Sequence, residues 1–208
     1  MPYICAMKNI AVFASGAGSN AENLIRYFNV NNPHLQARIT LVAANKPKAY
    51  ALERARNLGV PSLVFDRTDF YPAHEDNTAP RYPVLEALQA AHIDCIVLAG
   101  FLWLVPAYII QAFQGRIVNI HPALLPAYGG KGMYGMHVHQ AVVAQGERES
   151  GITIHLVDGE YDHGQNLFQA RCLLDEGETA ESLAQKIHLL EQKHFPPVVA
   201  QWLDAQGS

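Results

Sequence analysis

The run Lys8-Asn-Ile-Ala-Val-Phe-Ala-Ser15 is short and apolar, and it stops at Gly16-Ala-Gly18-Ser19-Asn20. Leu24, Ile25 and Phe28 then recur at helical spacing. Strand, glycine turn and helix in immediate succession constrain this chain more than any other feature, because that order opens a βαβ unit. The pattern recurs: a strand over 38–44 ends at Asn45-Lys46-Pro47, a helix over 49–57 closes at Gly59, and 60–65 is a third strand. Residues 66–83 are polar and carry no periodicity that assigns them. Val84, Leu85, Leu88 and Ala91 mark a helix, 93–99 a strand apolar enough to be buried on both faces, and Pro106 opens a short helix ending near Gly115. Residues 117–120 form the next strand. Strands alternating with helices predict a parallel α/β sheet, whose ligands bind beyond the carboxyl ends of the strands. Those ends lie at 15–20, 45–46, 100–105 and 119–122.

The second half reads differently. Residues 121–136 are irregular and hold four glycines and two prolines, and 137–145 is helical. Gly-Ile-Thr-Ile-His-Leu-Val over 151–157 alternates as a half-exposed strand does. Residues 168–174 make a further strand, antiparallel to it across the turn at 158–166. A last helix starts near Thr179, keeps Leu183, Ile187 and Leu190 on one face, and is expected to break at Pro196-Pro197.

Composition bounds the class. With 208 residues, half of them hydrophobic and 16% charged, the chain is expected to be one domain over 1–208, and disorder is excluded. Only 15 Lys and Arg and a net charge of -4 leave no footprint for nucleic acid. The longest apolar run, 93–106, contains Asp94 and Gly100 and is too short to span a bilayer, so no membrane partner is expected. No charged segment followed by an apolar one opens the chain; residues 1–7 read as an extension, with Met7 an alternative start, and the expected location is cytoplasmic. Three scattered cysteines, Cys5, Cys95 and Cys172, fit neither a disulfide framework nor a zinc spacing.

Three places carry chemistry. The turn Ser15-Gly-Ala-Gly-Ser-Asn20 offers backbone N–H groups at a helix N-terminus, where an anion such as phosphate is favoured. An unliganded tight turn explains the same residues. The dinucleotide fingerprint is met only loosely, since Ala21 fills its third glycine position and Asn45-Lys46 replaces the ribose-binding acid. In Asn119-Ile-His121-Pro-Ala-Leu-Leu-Pro126 an amide and an imidazole stand two residues apart on a strand, so both point the same way. An amide can stabilise an oxyanion and an imidazole can move protons, a pairing suited to acyl-group chemistry; a core histidine is the plainer alternative. The turn Asp158-Gly-Glu-Tyr-Asp162-His-Gly164 brings carboxylates that would orient an imidazole, and spacing leaves Asp158, Glu160 and Asp162 all open.

Together these segments resemble a known family. Ser15-Gly-x-Gly-Ser-Asn20, Asn45-Lys46, Leu98-Ala-Gly-Phe101, Asn119-Ile-His-Pro-x-Leu-Leu-Pro126, Gly151-x-Thr-x-His155 and Asp162-x-Gly164 follow the order seen in the glycinamide ribonucleotide formyltransferases, over about 8–203. The resemblance implies a Rossmann-like formyltransferase fold: a mostly parallel twisted sheet, helices on both faces and an antiparallel C-terminal strand pair. It implies formyl transfer from 10-formyltetrahydrofolate, a co-substrate, to the amine of glycinamide ribonucleotide in purine biosynthesis, without a metal. Gly18, Ser19 and Asn20 match the phosphate turn, and Asn119, His121 and Asp162 the catalytic group, with His121 protonated. His155 matches a histidine that shapes the site, and His137 borders it. Leu102, Trp103, Leu104 and Val105, with Asp158, Gly159, Glu160 and Tyr161, match segments that hold the pterin largely through backbone. His188 and Glu191 match the region touching the glycinamide end. The implied partners are these two small molecules, with the protein a monomer or homodimer.

The chain departs from the family pattern in two places. Trp103 stands where the family often has Arg, and the family's folate-binding Arg has Arg67 as its nearest equivalent. The stretch from Tyr128 to His139 is several residues longer than usual; its glycines suit a lid, an anion nest around Lys131, or a solvent-exposed loop, and His137-x-His139 also has the look of metal ligands. Related activities are less well matched. Formyltetrahydrofolate deformylase carries an extra N-terminal domain, the methionyl-tRNA enzyme an extra C-terminal one, and a sugar-nucleotide N-formyltransferase lacks the Gly-Ser-Asn turn. A non-catalytic folate or nucleotide sensor would not need Asn119, His121 and Asp162 together.

Overall fold

The computed structural model describes residues 7–73 and 81–206. Cys5, residues 1–6 of the expected extension and part of the polar stretch after Asp66 lie outside the described residues. The chain divides into two compact units, Met1–Arg116 and Ile117–Ser208.

The first unit contains β1 (Lys8–Ala14), α1 (Ser19–Ile25), β2 (Ala37–Ala44), α2 (Tyr50–Asn57), β3 (Ser62–Val64), α3 (Arg67–Phe70), α4 (Pro83–Ala90), β4 (Cys95–Leu98) and α5 (Ala107–Ala112). A π-helical turn, Arg26–Asn31, prolongs α1. Its strands are parallel in the order β3-β2-β1-β4. Ile10, Ala11, Val12, Phe13 and Ala14 are fully buried, as are nearly all of Cys95, Ile96, Val97 and Leu98, which is why these strands read as unbroken apolar runs. Burial, more than the nearby Asp94, pushes the Cys95 thiol up to about 12, so it behaves as a small hydrophobe. Phe13 anchors an aromatic cluster, with ring centroids 5.4 Å from Phe101, 5.8 Å from Phe65 and 6.4 Å from Phe70. Helix α3 falls in the stretch that periodicity left unassigned. Its signal is short: Asp66 accepts from the N–H groups of Thr68 and Asp69, and Asp69 accepts in return from the N–H of Asp66.

The second unit contains β5 (Ile117–His121), α6 (Met136–Ala144), β6 (Glu149–Leu156), β7 (Asn166–Leu173) and α7 (Ala180–Ala205), with its strands antiparallel in the order β5-β6-β7. Parallel strands early and antiparallel strands late bear out the expected α/β class. Two expectations are corrected. Strand β6 is not half-exposed: residues 150–155 are all buried, because β5 and β7 flank it and α7 packs on all three strands. Two of its polar positions, Thr153 and His155, face internal partners. The Thr153 hydroxyl donates to the Ala123 carbonyl and accepts from the Leu125 N–H and the Gln169 amide, while His155 enters the site described below. Alternation marked two faces here, not an inside and an outside.

Helix α7 also does not break at Pro196-Pro197 but runs through both. Proline's φ suits a helix; its cost is the missing N–H donor and crowding against the preceding turn. Phe195, Pro196, Val198 and Val199 are buried, so packing outweighs that cost. Thr179 caps the helix as expected, in a reciprocal pair with Ser182.

Phe13→Ala is expected to lower unfolding free energy by about 3–5 kcal/mol, measured by urea denaturation. A loss below about 1 kcal/mol would contradict the role of this cluster as the anchor of the first unit.

Candidate active site

In the first unit, β1 delivers the glycine turn. The Ser15 N–H donates to the Gly100 carbonyl (3.0 Å), and the Ser15 hydroxyl accepts from the Leu102 N–H (3.1 Å). Gly18 caps α1 at φ 71°, and a Cβ there would stand 2.5 Å from Ala51. Glycine is therefore required twice, by conformation and by the close approach of α2. The first N–H groups of α1 have no intrahelical acceptor, and Gly18 supplies no side-chain cap. Helix α2 braces the turn: the Ala51 N–H donates to the Gly16 carbonyl, Arg54 donates to the Ala17 carbonyl, and Arg54 pairs with Glu22. Asn20 is buried and Ser19 half-buried. The side chain of Asn45, at the end of β2, is buried with neither amide atom partnered. A cleft of about 600 Å³ lined by Lys48, Tyr50, Glu53 and Arg56 shares no residue with this turn.

Leu102, Trp103 and Leu104 are half-buried and Val105 buried. The Trp103 ring joins the aromatic cluster through Phe70 (5.8 Å), Tyr71 (6.0 Å), Phe65 (6.2 Å) and Phe101 (6.3 Å). The Arg67 guanidinium lies over Tyr71 (5.1 Å) and Trp103 (6.0 Å), so Trp103 faces an arginine supplied by α3.

The second unit gathers four polar side chains. Antiparallel register sets Asn119 directly opposite His155 and His121 opposite Thr153, so Asn119, His121 and His155 share one face of β5 and β6. The Asn119 amide lies 3.1 Å from His155 Nε2 and 3.4 Å from Asp162 Oδ1. His155 Nδ1 is 2.7 Å from the Leu156 carbonyl, which requires the proton on Nδ1 and leaves Nε2 to accept from Asn119. His121 Nε2 is 2.8 Å from the Tyr128 carbonyl, so Nε2 carries the proton and Nδ1 faces Asp162 Oδ2 at 3.5 Å.

Asp162 is the centre. It sits at φ 55°, its side chain is 10% exposed, Oδ2 accepts from the Gly130 N–H (3.0 Å), and Oδ1 lies 3.6 Å from His155 Nε2. Burial works to raise its pKa, but its contacts with His155, with His121 whenever that imidazole is protonated, and with the Gly130 N–H outweigh it and hold the carboxylate low. Burial also holds His121 below the usual histidine range despite Asp162. The resting imidazole is thereby drawn toward its neutral form.

The glycines of two motifs stand where a side chain would meet backbone. A Cβ at Gly151 would stand 1.9 Å from the Ala170 carbonyl oxygen, and one at Gly164 would stand 1.9 Å from that of Leu156. Of the three carboxylates that spacing left open, only Asp162 pairs with His121 and His155. Asp158 instead accepts from the Glu160 N–H and pairs with the exposed His163 at 2.9 Å, which holds Asp158 low against its partial burial and raises His163. Gly159, Glu160 and Tyr161 are exposed.

Helix α6 separates its two histidines: His137 is exposed with its ring 5.2 Å from Tyr134, and His139 is buried with Nδ1 unpartnered. On α7, His188 Nδ1 lies 3.6 Å from Glu191. Sequence reasoning missed Tyr128 and Gly130, which act through backbone atoms and leave no residue-type signal. It quoted Thr153 without a role.

Residues 8–199 match the sequence profile of the formyl transferase family. The chain is 40% identical over 192 residues to the chloroplastic phosphoribosylglycinamide formyltransferase of Arabidopsis thaliana, covering 92% of this chain and 64% of that protein. It is 38% identical to the phosphoribosylglycinamide formyltransferase of Bacillus subtilis, covering 95% of each. A solved structure of glycinamide ribonucleotide transformylase 1 from Symbiobacterium toebii matches with TM-score 0.83 and 32% identity, over 96% of this chain and 89% of that one. The chain spans 64% and 60% of the length of two plant relatives it matches. Among the described residues, no helix is long and apolar enough to cross a membrane.

The lowered pKa of His121 and of Asp162 have one sign for stability, since the folded state resists protons that the unfolded state accepts. The His121 contribution is complete above its ordinary value of 6.5 and is lost as pH falls below it toward the lowered native value. Melting temperature of the wild type relative to His121→Asn is expected to fall as pH drops through that window. A relative rise on acidification would contradict a neutral buried His121.

Proposed function

Because this chain belongs to the formyl transferase family, we propose that it transfers the formyl group of 10-formyltetrahydrofolate to the amine of glycinamide ribonucleotide. The products are N-formylglycinamide ribonucleotide and tetrahydrofolate, a step of purine biosynthesis. The observation that carries the reading is the Asp162-centred group of Asn119, His121 and His155. The names of its relatives support the choice of substrates. Both units fall within the one family match, which supports reading 1–208 as a single functional domain.

In the proposed reaction the substrate amine attacks the formyl carbon, forming a C–N bond and an oxyanion. The Asn119 amide spends one hydrogen on His155 and holds the other only loosely toward Asp162, at 3.4 Å; that second hydrogen is the one free to turn to the oxyanion. The attacking amine sheds a proton. Taken up by the Asp162–His121 pair, it makes an imidazolium flanked by two acceptors already in place, the Tyr128 carbonyl and the Asp162 carboxylate. The same proton then goes to the departing folate nitrogen as the old C–N bond breaks. His155 holds Asn119 in orientation through its accepting Nε2.

Gly18, Ser19 and Asn20 bind the ribonucleotide phosphate, supported by the uncapped start of α1. His188 and Glu191 bind the glycinamide end. Leu102, Trp103, Leu104 and Val105 contribute to the folate site, with Arg67 held over Trp103 as the cation for its acidic end. Asp158, Gly159, Glu160 and Tyr161 keep their assignment to the pterin. No metal enters the reaction, and the protein works in the cytoplasm as a monomer or homodimer.

Purified protein is assayed with 10-formyltetrahydrofolate, with and without glycinamide ribonucleotide. Amine-dependent release of tetrahydrofolate is expected; amine-independent release would identify a hydrolase, and no release a sensor. Asn119→Ala is expected to lower turnover on the order of a hundredfold or more with folding intact, by circular dichroism. Near-normal turnover would overturn the assignment.

A further inference from the structure

Tyr128 and the two glycines after it lie in the loop between β5 and α6, and their backbone meets both proton-handling groups. The Tyr128 carbonyl takes the His121 Nε2 proton at 2.8 Å, and two residues on, the Gly130 N–H donates to Asp162 Oδ2 at 3.0 Å. Between them, a Cβ on Gly129 would stand 2.6 Å from Leu125 Cδ2 and 3.2 Å from Asp162 Cβ, so a side chain there would have to displace Leu125 and press on Asp162. Tyr128 itself sits at φ 58°, a conformation that a bulky residue adopts only where its surroundings impose it. Its far end is tied down: the phenol donates to Glu147 Oε1 at 2.6 Å, in the turn that follows α6.

We propose that Tyr128 is a positioning residue for His121, clasped by Glu147 so that its carbonyl fixes the proton on Nε2 and aims Nδ1 at Asp162. The proposal rests on the formyl-transfer reading for its kinetic consequences but not for its structural one. A buried imidazole can carry its single proton on either nitrogen, and the hydrogen bond made by one nitrogen decides the state of the other. With Nε2 committed to Tyr128, the lone pair faces Asp162 and is ready for a proton; with Nε2 released, the alternative tautomer donates to Asp162 and that capacity is lost. The groups bearing on His121 are Asp162 from the turn between β6 and β7, His155 from β6 and His139 from α6, with the Tyr128 carbonyl on its other side. The Tyr128 acceptor favours the protonated imidazole, so its release lowers the His121 titration.

The test compares wild type, Tyr128→Phe, Glu147→Ala, Glu147→Gln and the double variant Tyr128→Phe/Glu147→Ala. Imidazole 15N spectra report the His121 tautomer in the free protein, with His121→Asn assigning the signal. The wild type and Glu147→Gln, which keeps an acceptor for the phenol, are expected to show the Nε2–H form; Tyr128→Phe and Glu147→Ala are expected to show a mixture. Each of the latter two is expected to lose on the order of tenfold in kcat, with KM for both substrates changed by less than about twofold. Their His121 limb in the pH–rate profile moves to lower pH, and the double variant is no worse than either single one. Additive losses, an effect on KM alone, an unmoved limb, or a wild-type proton on Nδ1 would overturn the proposal. If Tyr128→Phe does not fold, the two Glu147 variants decide it. Should the wild type lack formyl transfer, the reading of function fails, and the spectra alone decide the proposal: an unchanged tautomer in Tyr128→Phe and Glu147→Ala overturns it, a mixture upholds it.

Discussion

A carboxylate removed from water loses several kcal/mol of hydration and stays ionised only where its surroundings return that energy. Asp162 meets this condition with the Gly130 N–H and the Asn119 amide hydrogen, and it lies within 3.6 Å of two imidazoles whose protonation its charge favours. The rest of the second unit follows from the need to bring these groups to one point. The carboxylate in turn orders them. It takes the looser hydrogen of Asn119, faces the lone pair of His121, and shares the Asn119–His155 contact.

The strands supply this arrangement through register rather than loop design. Asn119 and His155 are cross-strand partners on β5 and β6, and His121 follows two residues along on the same face. A register irregularity between Ile154 and His155 where β6 pairs with β7 falls at the same place, as such irregularities often do beside functional residues. Gly151 lets β6 pass within contact of the β7 backbone at Ala170, and Gly164 does the same against Leu156, which closes the turn that carries Asp162. In the first unit the equivalent device is Gly18, whose missing Cβ lets α2 press on the glycine turn and hold it through Ala51 and Arg54.

Much of this was legible because it depends on residue type and spacing. The apolar runs of β1 and β4 announce burial on both faces, and the Asn-x-His spacing announces a shared face. The turn residues Gly18 and Gly59 mark the ends of their elements. What spacing could not decide was the partner carboxylate, since Asp158, Glu160 and Asp162 all lie in one turn; the resemblance pointed to Asp162, and the geometry pairs that residue alone with His121 and His155. The exposure of β6 was misread because alternation reports two chemically different faces, and the polar face of β6 meets a loop and a site instead of water. The break expected at Pro196-Pro197 reflects local propensity, which the packing of Phe195, Val198 and Val199 overrides. Tyr128 and Gly130 were invisible for a simpler reason: carbonyls and N–H groups are common to every residue.

The central claim is that the negative charge of Asp162, not merely its shape, organises proton handling at Asn119 and His121. Asp162→Asn keeps the volume and removes the charge, so single-turnover formyl transfer by that variant, with its crystal structure beside it, tests the claim most directly. The expected result is an unchanged fold with transfer slowed roughly a hundredfold or more. Transfer near the wild-type rate with the Asn119, His121 and His155 contacts intact would contradict it.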